Sequence, residues 1–201
     1  MRQLRVPVLG ILVHVAALLP LAVLLWDLAH HQLTANPIQE IQLRTGRYTL
    51  VLLVLSLIIT PLYSVSRLGQ LPPLRRTLGL YSFMYASLHF LNFIGLDYGF
   101  NFALIWADIG NKRFILAGFP AFLILLTLAI TSTQGWLRRL GKNWKRLHRL
   151  VYLAALLAVL HFLWQVKTDP RQPLVFAAIV ISLLVIRIPW IKGLVRGRQT
   201  P

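Results

Sequence analysis

The chain has 201 residues, of which 57% are hydrophobic and 13% charged, with a net charge of +16 and no cysteine. Soluble domains carry about 45–50% apolar and about 25% charged residues, so the composition excludes a soluble fold. The long apolar runs also exclude nucleic acid as the reason for the positive charge. The missing cysteine excludes disulfides, iron–sulfur clusters and thiolate ligation of a metal.

A membrane-spanning helix needs about 20 predominantly apolar residues. Six segments meet or approach that length, at approximately 8–28, 47–64, 78–94, 114–131, 148–166 and 174–190. The first is longer than the apolar core of a signal peptide, about 7–15 residues, and no small-residue cleavage site follows it. It is therefore expected to remain as a helix. The connections are short, and no internal repeat or low-complexity tract is visible. The expectation is an all-α membrane protein: one six-transmembrane-helix bundle covering residues 1–201.

Charge sets the orientation. With both termini inside, the cytoplasmic side holds Arg2, Arg5, Arg67, Arg75, Arg76, Arg138, Arg139, Lys142, Lys145, Arg146, Arg149, Arg187, Lys192, Arg196 and Arg198, 15 in all. The outer side holds only Arg44, Arg47, Lys112, Arg113, Lys167 and Arg171, which is 6. An excess of Lys and Arg marks the cytoplasmic face, so the expected topology is N-in and C-in, in a multi-pass protein of the lipid bilayer. All five acids, Asp27, Glu40, Asp97, Asp108 and Asp169, fall at or beyond the outer ends.

Histidines inside a bilayer are costly and mark function by default. His89 on the third predicted helix and His161 on the fifth each lie about five residues before an outer end, about 8 Å below the boundary at 1.5 Å per residue. Two imidazoles at one depth on two helices can clamp one haem iron from both faces. The alternative is a pair of packed histidines satisfied by hydroxyls or backbone. Ala154 and Ala158 near His161 would admit a flat macrocycle, although small residues are also ordinary helix-packing positions. His148 lies thirteen residues before His161, about 20 Å deeper and about 140° around the helix. It reads as a second haem ligand, a contact to a flavin or quinone, or an interfacial histidine. His14, in the inner half of the first helix, could approach it or simply pack. His30 and His31 read as loop residues.

The inner basic loops either set the topology or bind a phosphate. A flavin mononucleotide (FMN) would use Arg75, Arg76, Lys142 and Arg146 for its phosphate, with Thr131, Ser132 and Gln134 at the ring edge. At the outer side Arg47, Arg113 and Lys112 could pair haem propionates. Trp106, Trp164, Tyr63 and Tyr98 suit an interfacial aromatic belt.

Several short pieces then form an ordered set: Leu18-Leu19-Pro20, Thr45-Gly46-Arg47, Ile59-Thr60-Pro61-Leu62, Arg76-Thr77-Leu78-Gly79-Leu80, Leu88-His89, Thr131-Ser132-Thr133-Gln134, Leu140-Gly141-Lys142 with Trp144, Leu147-His148 with Val151-Tyr152, and His161 with Trp164, Val166 and Lys167. Together they resemble the ferric-reductase-like transmembrane family. Within it they resemble the haem-binding subunits of bacterial periplasmic methionine sulfoxide reductase systems. The resemblance implies a b-type haem associated with His89, His161 and His148, and a bound FMN. It also implies residence in the bacterial inner membrane, electron supply from quinol or a cytoplasmic flavin reductase, and delivery to a periplasmic molybdopterin-containing partner in a heterodimer. The enzymatic alternative is direct ferric or cupric reduction at the outer face. Two-haem relatives carry an inner histidine thirteen residues before the outer one. Here that position is Arg76, which argues against a second haem at His148 and His14. No cytoplasmic nicotinamide-binding domain is present in the sequence.

Overall fold

The computed structural model describes residues 5–166 and 168–187. Among them every regular element is helical: α1 Arg5–Ala29, α2 Pro37–Ser66, α3 Leu71–Leu91 continuing into a π-helical segment Asn92–Asp97, α4 Phe102–Ile109, α5 Arg113–Ile130, α6 Gln134–Leu140, α7 Lys142–Leu147, α8 Leu150–Gln165 and α9 Arg171–Val185. Four helices are long and apolar enough to cross a membrane. A fifth crossing results if α3 with its π segment and α4, bent by 107°, are taken as one span. The described part of α9 has 15 residues, short of a full span. The last three residues of the sixth predicted helix, 188–190, lie outside the described residues, as do Arg2, Lys167, Lys192, Arg196 and Arg198.

Local chemistry explains the starts and stops. Asn36 caps α2 by accepting the Gln39 backbone N–H at 3.2 Å, and Pro37 stands at the first helical position. Proline is tolerated there because its missing N–H would have had no partner. These signals start α2 ten residues before the apolar run at 47. Leu71-Pro72-Pro73 opens α3, whose prolines stand in the first turn without a side-chain cap. Asn101 caps α4, accepting from the Leu104 N–H, and Thr133 caps α6. α4, α6 and α7 fall in stretches expected to be connections, because each is too short to show a span in the sequence. Gly141, at φ 48°, makes the turn between α6 and α7.

The bundle is assembled from two intimate pairs, α2 with α3 and α5 with α8. Leu50, Leu53, Leu57, Ala154, Ala155 and Val180 form the core where α2, α8 and α9 meet. A second cluster, with Ala17, Leu52, Leu74, Leu78 and Tyr85, attaches α1. A ladder of aromatic rings, Phe83, Phe90, Phe119 and Phe122, joins α3 to α5. The outward faces remain apolar and open, as at Ile11, Leu19 and Trp26 on α1, which is the surface a bilayer requires.

Proline leaves gaps in three of these helices. Pro61 cannot donate to the carbonyl of Leu57, four residues earlier. The Arg187 side chain donates to that carbonyl instead. On α1, one turn before the Pro20-Leu21 step, the Ala17 carbonyl accepts the hydroxyl of fully buried Tyr85 at 2.8 Å. Interhelical hydrogen bonds in membranes contribute about 0.6–1.7 kcal/mol, whereas a cavity left by a buried leucine costs about 2–5 kcal/mol. In detergent melts, Leu53→Ala should therefore lower the melting temperature more than Tyr85→Phe. The reverse order would show that the hydroxyl, and not core packing, fixes the bundle.

A buried histidine pair as candidate cofactor site

His89 stands near the end of α3 and His161 near the end of α8. Their rings approach edge to face, with centroids 5.9 Å apart. Each is held in the same way. The His89 Nδ1–H donates to the carbonyl of Gln42 on α2 at 2.9 Å. The His161 Nδ1–H donates to the carbonyl of Phe114 on α5 at 2.8 Å. In both cases the residue one turn later is glycine. A Cβ at Gly46 would stand 2.9 Å from the His89 ring, and one at Gly118 would stand 2.5 Å from the His161 ring. Only glycine lets an imidazole lie against the helix closely enough to reach the carbonyl one turn back.

A bond from Nδ1–H fixes the tautomer and leaves Nε2 as the ligating nitrogen. A metal–imidazole bond to an ion such as zinc is about 2.0–2.1 Å, so 5.9 Å between centroids is the scale on which one atom joins two rings. Among the described residues there is no group of three or more His, Cys, Asp or Glu. Two imidazoles without a third protein ligand form a donor set suited to an iron whose other positions a macrocycle fills. On these grounds the residues fit a haem.

The polar surroundings of His89 extend further. The Gln42 amide donates to His89 Nε2 at 3.1 Å. The amide of Asn92, 4% exposed, donates to Gln42 Oε1 at 2.6 Å and to the Ile38 carbonyl at 3.1 Å. Asn92 Oδ1 is buried without a partner. Iron ligation at Nε2 requires the Gln42 amide to swing away. Gln42, Asn92 and Gly118 were absent from the sequence-level candidates. Their available signal was polarity at the depth of His89, and a glycine facing His161.

The remaining candidates divide by position. His148 lies within the candidate membrane span Lys142–Gln165, at the junction of α7 and α8. It ends α7, and α8 begins at Leu150. Trp144 stacks on its ring at 3.9 Å, and the Trp144 indole donates to the Thr131 carbonyl at 2.9 Å. The Thr131 hydroxyl is donated to the Thr127 carbonyl, so His148 Nε2–H donates to Thr131 Oγ1 at 3.2 Å. His14 bonds Tyr81 at 2.7 Å rather than His148. The Ser132 hydroxyl is turned onto the Leu128 carbonyl. Arg75 is half-buried, whereas Arg76, Gln134, Lys142 and Arg146 are exposed. On the other end of the bundle Arg47 donates to Gln172 at 2.9 Å, and Arg113 is exposed at the start of α5. The Lys112 ammonium donates to Asp108 and Tyr98, and its hydrogen bond to the Asp108 carboxylate pushes its pKa up to about 12.

The fold and the pair define a membrane-type helical bundle with an internal bis-histidine site. The family model described as "Ferric reductase like transmembrane component" matches residues 10–159. A protein-methionine-sulfoxide reductase heme-binding subunit MsrQ of Xanthomonas axonopodis pv. citri is 45% identical over 195 residues, covering 94% of this chain and 88% of the relative. The protein of the same name from Herminiimonas arsenicoxydans is 46% identical, covering 88% and 82%. The chain belongs to the ferric-reductase-like transmembrane family.

The glycine contacts make a direct prediction. Changes to groups that orient a metal ligand cost about 10–100-fold in affinity. Gly118→Ala should lower haem retention on that scale, and Gly46→Ala less, since its Cβ stands further from the ring. Haem-to-protein ratios after dilution into haem-free detergent measure this. Wild-type retention in Gly118→Ala would show that the His161–Phe114 contact does not position the ligand.

Proposed function

We propose that this chain is the haem-binding, electron-transferring subunit of a methionine sulfoxide reductase system. The single observation carrying the reading is the His89–His161 pair, with ring centroids 5.9 Å apart and both Nδ1 atoms tied to carbonyls. The relatives' printed names supply the system. A haem b iron bound there supplies reversible one-electron transfer. Two axial imidazoles suit electron transfer rather than oxygen chemistry.

In this reading the bundle has six spans, both termini in the cytoplasm and the haem between the third and fifth spans, as one domain of the bacterial inner membrane. Electrons arrive from quinol or a cytoplasmic flavin reductase. They pass the inner region of Thr131, Trp144 and His148, where an FMN is held, with Arg75 and Arg76 on its phosphate. They leave from the His89–His161 level to a periplasmic molybdopterin-containing subunit bound as a heterodimer. Arg47 and Arg113 lie on that outer side and are available to haem carboxylates. His148 serves electron input and is not an outer-haem ligand: eleven helical residues from Leu150 to His161 separate them by about 17 Å.

Sided vesicles test this. With donor added on the cytoplasmic side, the haem should reduce, and periplasmic-side partner with methionine sulfoxide should reoxidise it. His148→Ala should slow the reduction and leave the haem absorbance intact. Equally fast reoxidation by a ferric or cupric chelate with no partner would favour direct metal reduction.

A further inference from the structure

The Arg187 guanidinium is drawn into the bundle at the end opposite His89. One Nη donates to the Leu57 carbonyl, the group orphaned by Pro61, and Leu57 is itself 1% exposed. The guanidinium also lies 4.7 Å over the Tyr152 ring. Its Nε and its other Nη are buried and have no partner among the described residues. Filling the proline gap uses one donor atom and leaves two.

Among the described residues no side-chain carboxylate balances the charge. Arg75 is close enough for its charge to act on both Arg187 and His148. None of the five side-chain carboxylates lies at this end. Asp27 and Glu40 pair with Arg44, Asp108 pairs with Lys112 and Asp169 with Arg171, all at the other end, and Asp97 closes the π segment there. A buried cation is retained only when paired and hydrogen-bonded. A guanidinium is the planar fork that binds phosphate or carboxylate, and here one stands with two unpartnered N–H donor atoms, on separate edges, within range of a second arginine's charge and with no side-chain carboxylate beside it.

We propose that Arg187, with Arg75 and Tyr152, forms an internal anion site that takes the phosphate group of a bound ligand. Arg187 makes the direct hydrogen bonds, Arg75 adds charge, and Tyr152 holds the guanidinium in place. The site is separate from the histidine pair. Arg75 lies fourteen residues before His89, about 21 Å along the helix. The phosphate belongs either to a soluble cofactor, in which case the site rests on the FMN reading above and extends it to Arg187, or to a phospholipid headgroup, and two arms separate these sources.

The first arm titrates the holoprotein with FMN and with riboflavin, which share a ring and differ by the phosphate. The second titrates delipidated protein with phosphatidylglycerol and with phosphatidylcholine, read by melting temperature. In one arm the wild type should prefer the anionic member by about tenfold or more, the scale of a charge-assisted hydrogen bond. R187Q should abolish the preference while the haem spectrum stays unchanged. R187K, which keeps the charge but not the fork, should retain part of it, and it stands in for R187Q if that variant does not fold. Preference in the first arm identifies a cofactor phosphate, and in the second a lipid headgroup. A preference equal in wild type and both variants, or absent from the wild type in both arms, overturns the proposal. Because the readout is anion preference, its failure leaves the assignment of the histidine pair untouched.

Discussion

An imidazole in the interior of a membrane must find a partner for its N–H, because no water is available to it. In this bundle that constraint is met twice by one device. A histidine on one helix reaches the carbonyl of a neighbouring helix, and a glycine one turn later clears the path. Gln42 with Gly46 serves His89, and Phe114 with Gly118 serves His161. The two contacts belong to the two most intimate helix pairs, α2 with α3 and α5 with α8. Packing of each pair, ring orientation and tautomer thus follow from one arrangement. Deep histidines on tightly packed helices are the part of this structure least free to vary.

The two ends of the bundle differ in a way that complements this. At the His89 end four of the five acids are held in ion pairs with Arg44, Lys112 and Arg171. At the Arg187 end the cations stand without acids. One end is electrostatically closed, and the other attracts anions.

Much of this was legible in the sequence, and the limits have physical causes. Apolar runs located the centres of the long helices. They missed the first ten residues of α2, whose start is written in Asn36, Pro37 and Glu40 rather than in hydropathy. Short helices such as α4 and α6 carry no span-length signal. His89 and His161 stood out because a titratable ring in an apolar run is conspicuous, and helix rise put them at one depth. Their partners were invisible: a carbonyl has no letter in the sequence, and Gly118 reads as ordinary helix packing until His161 lies on it. Helix rise placed His148 on the same span as His161, as the structure does, but it could not show Trp144 stacked on the ring. Arg187 was counted as surface charge because its burial depends on a gap that Pro61 opens in another helix.

The central claim is that His89 and His161 together hold one haem iron. The most direct measurement is the absorbance spectrum and haem stoichiometry of the purified protein beside His89→Ala and His161→Ala. The account predicts a low-spin b-type spectrum in the wild type that collapses in each variant, because each removes one of the two axial nitrogens. A full, unshifted low-spin spectrum in either variant would contradict it and remove that histidine from the ligand set.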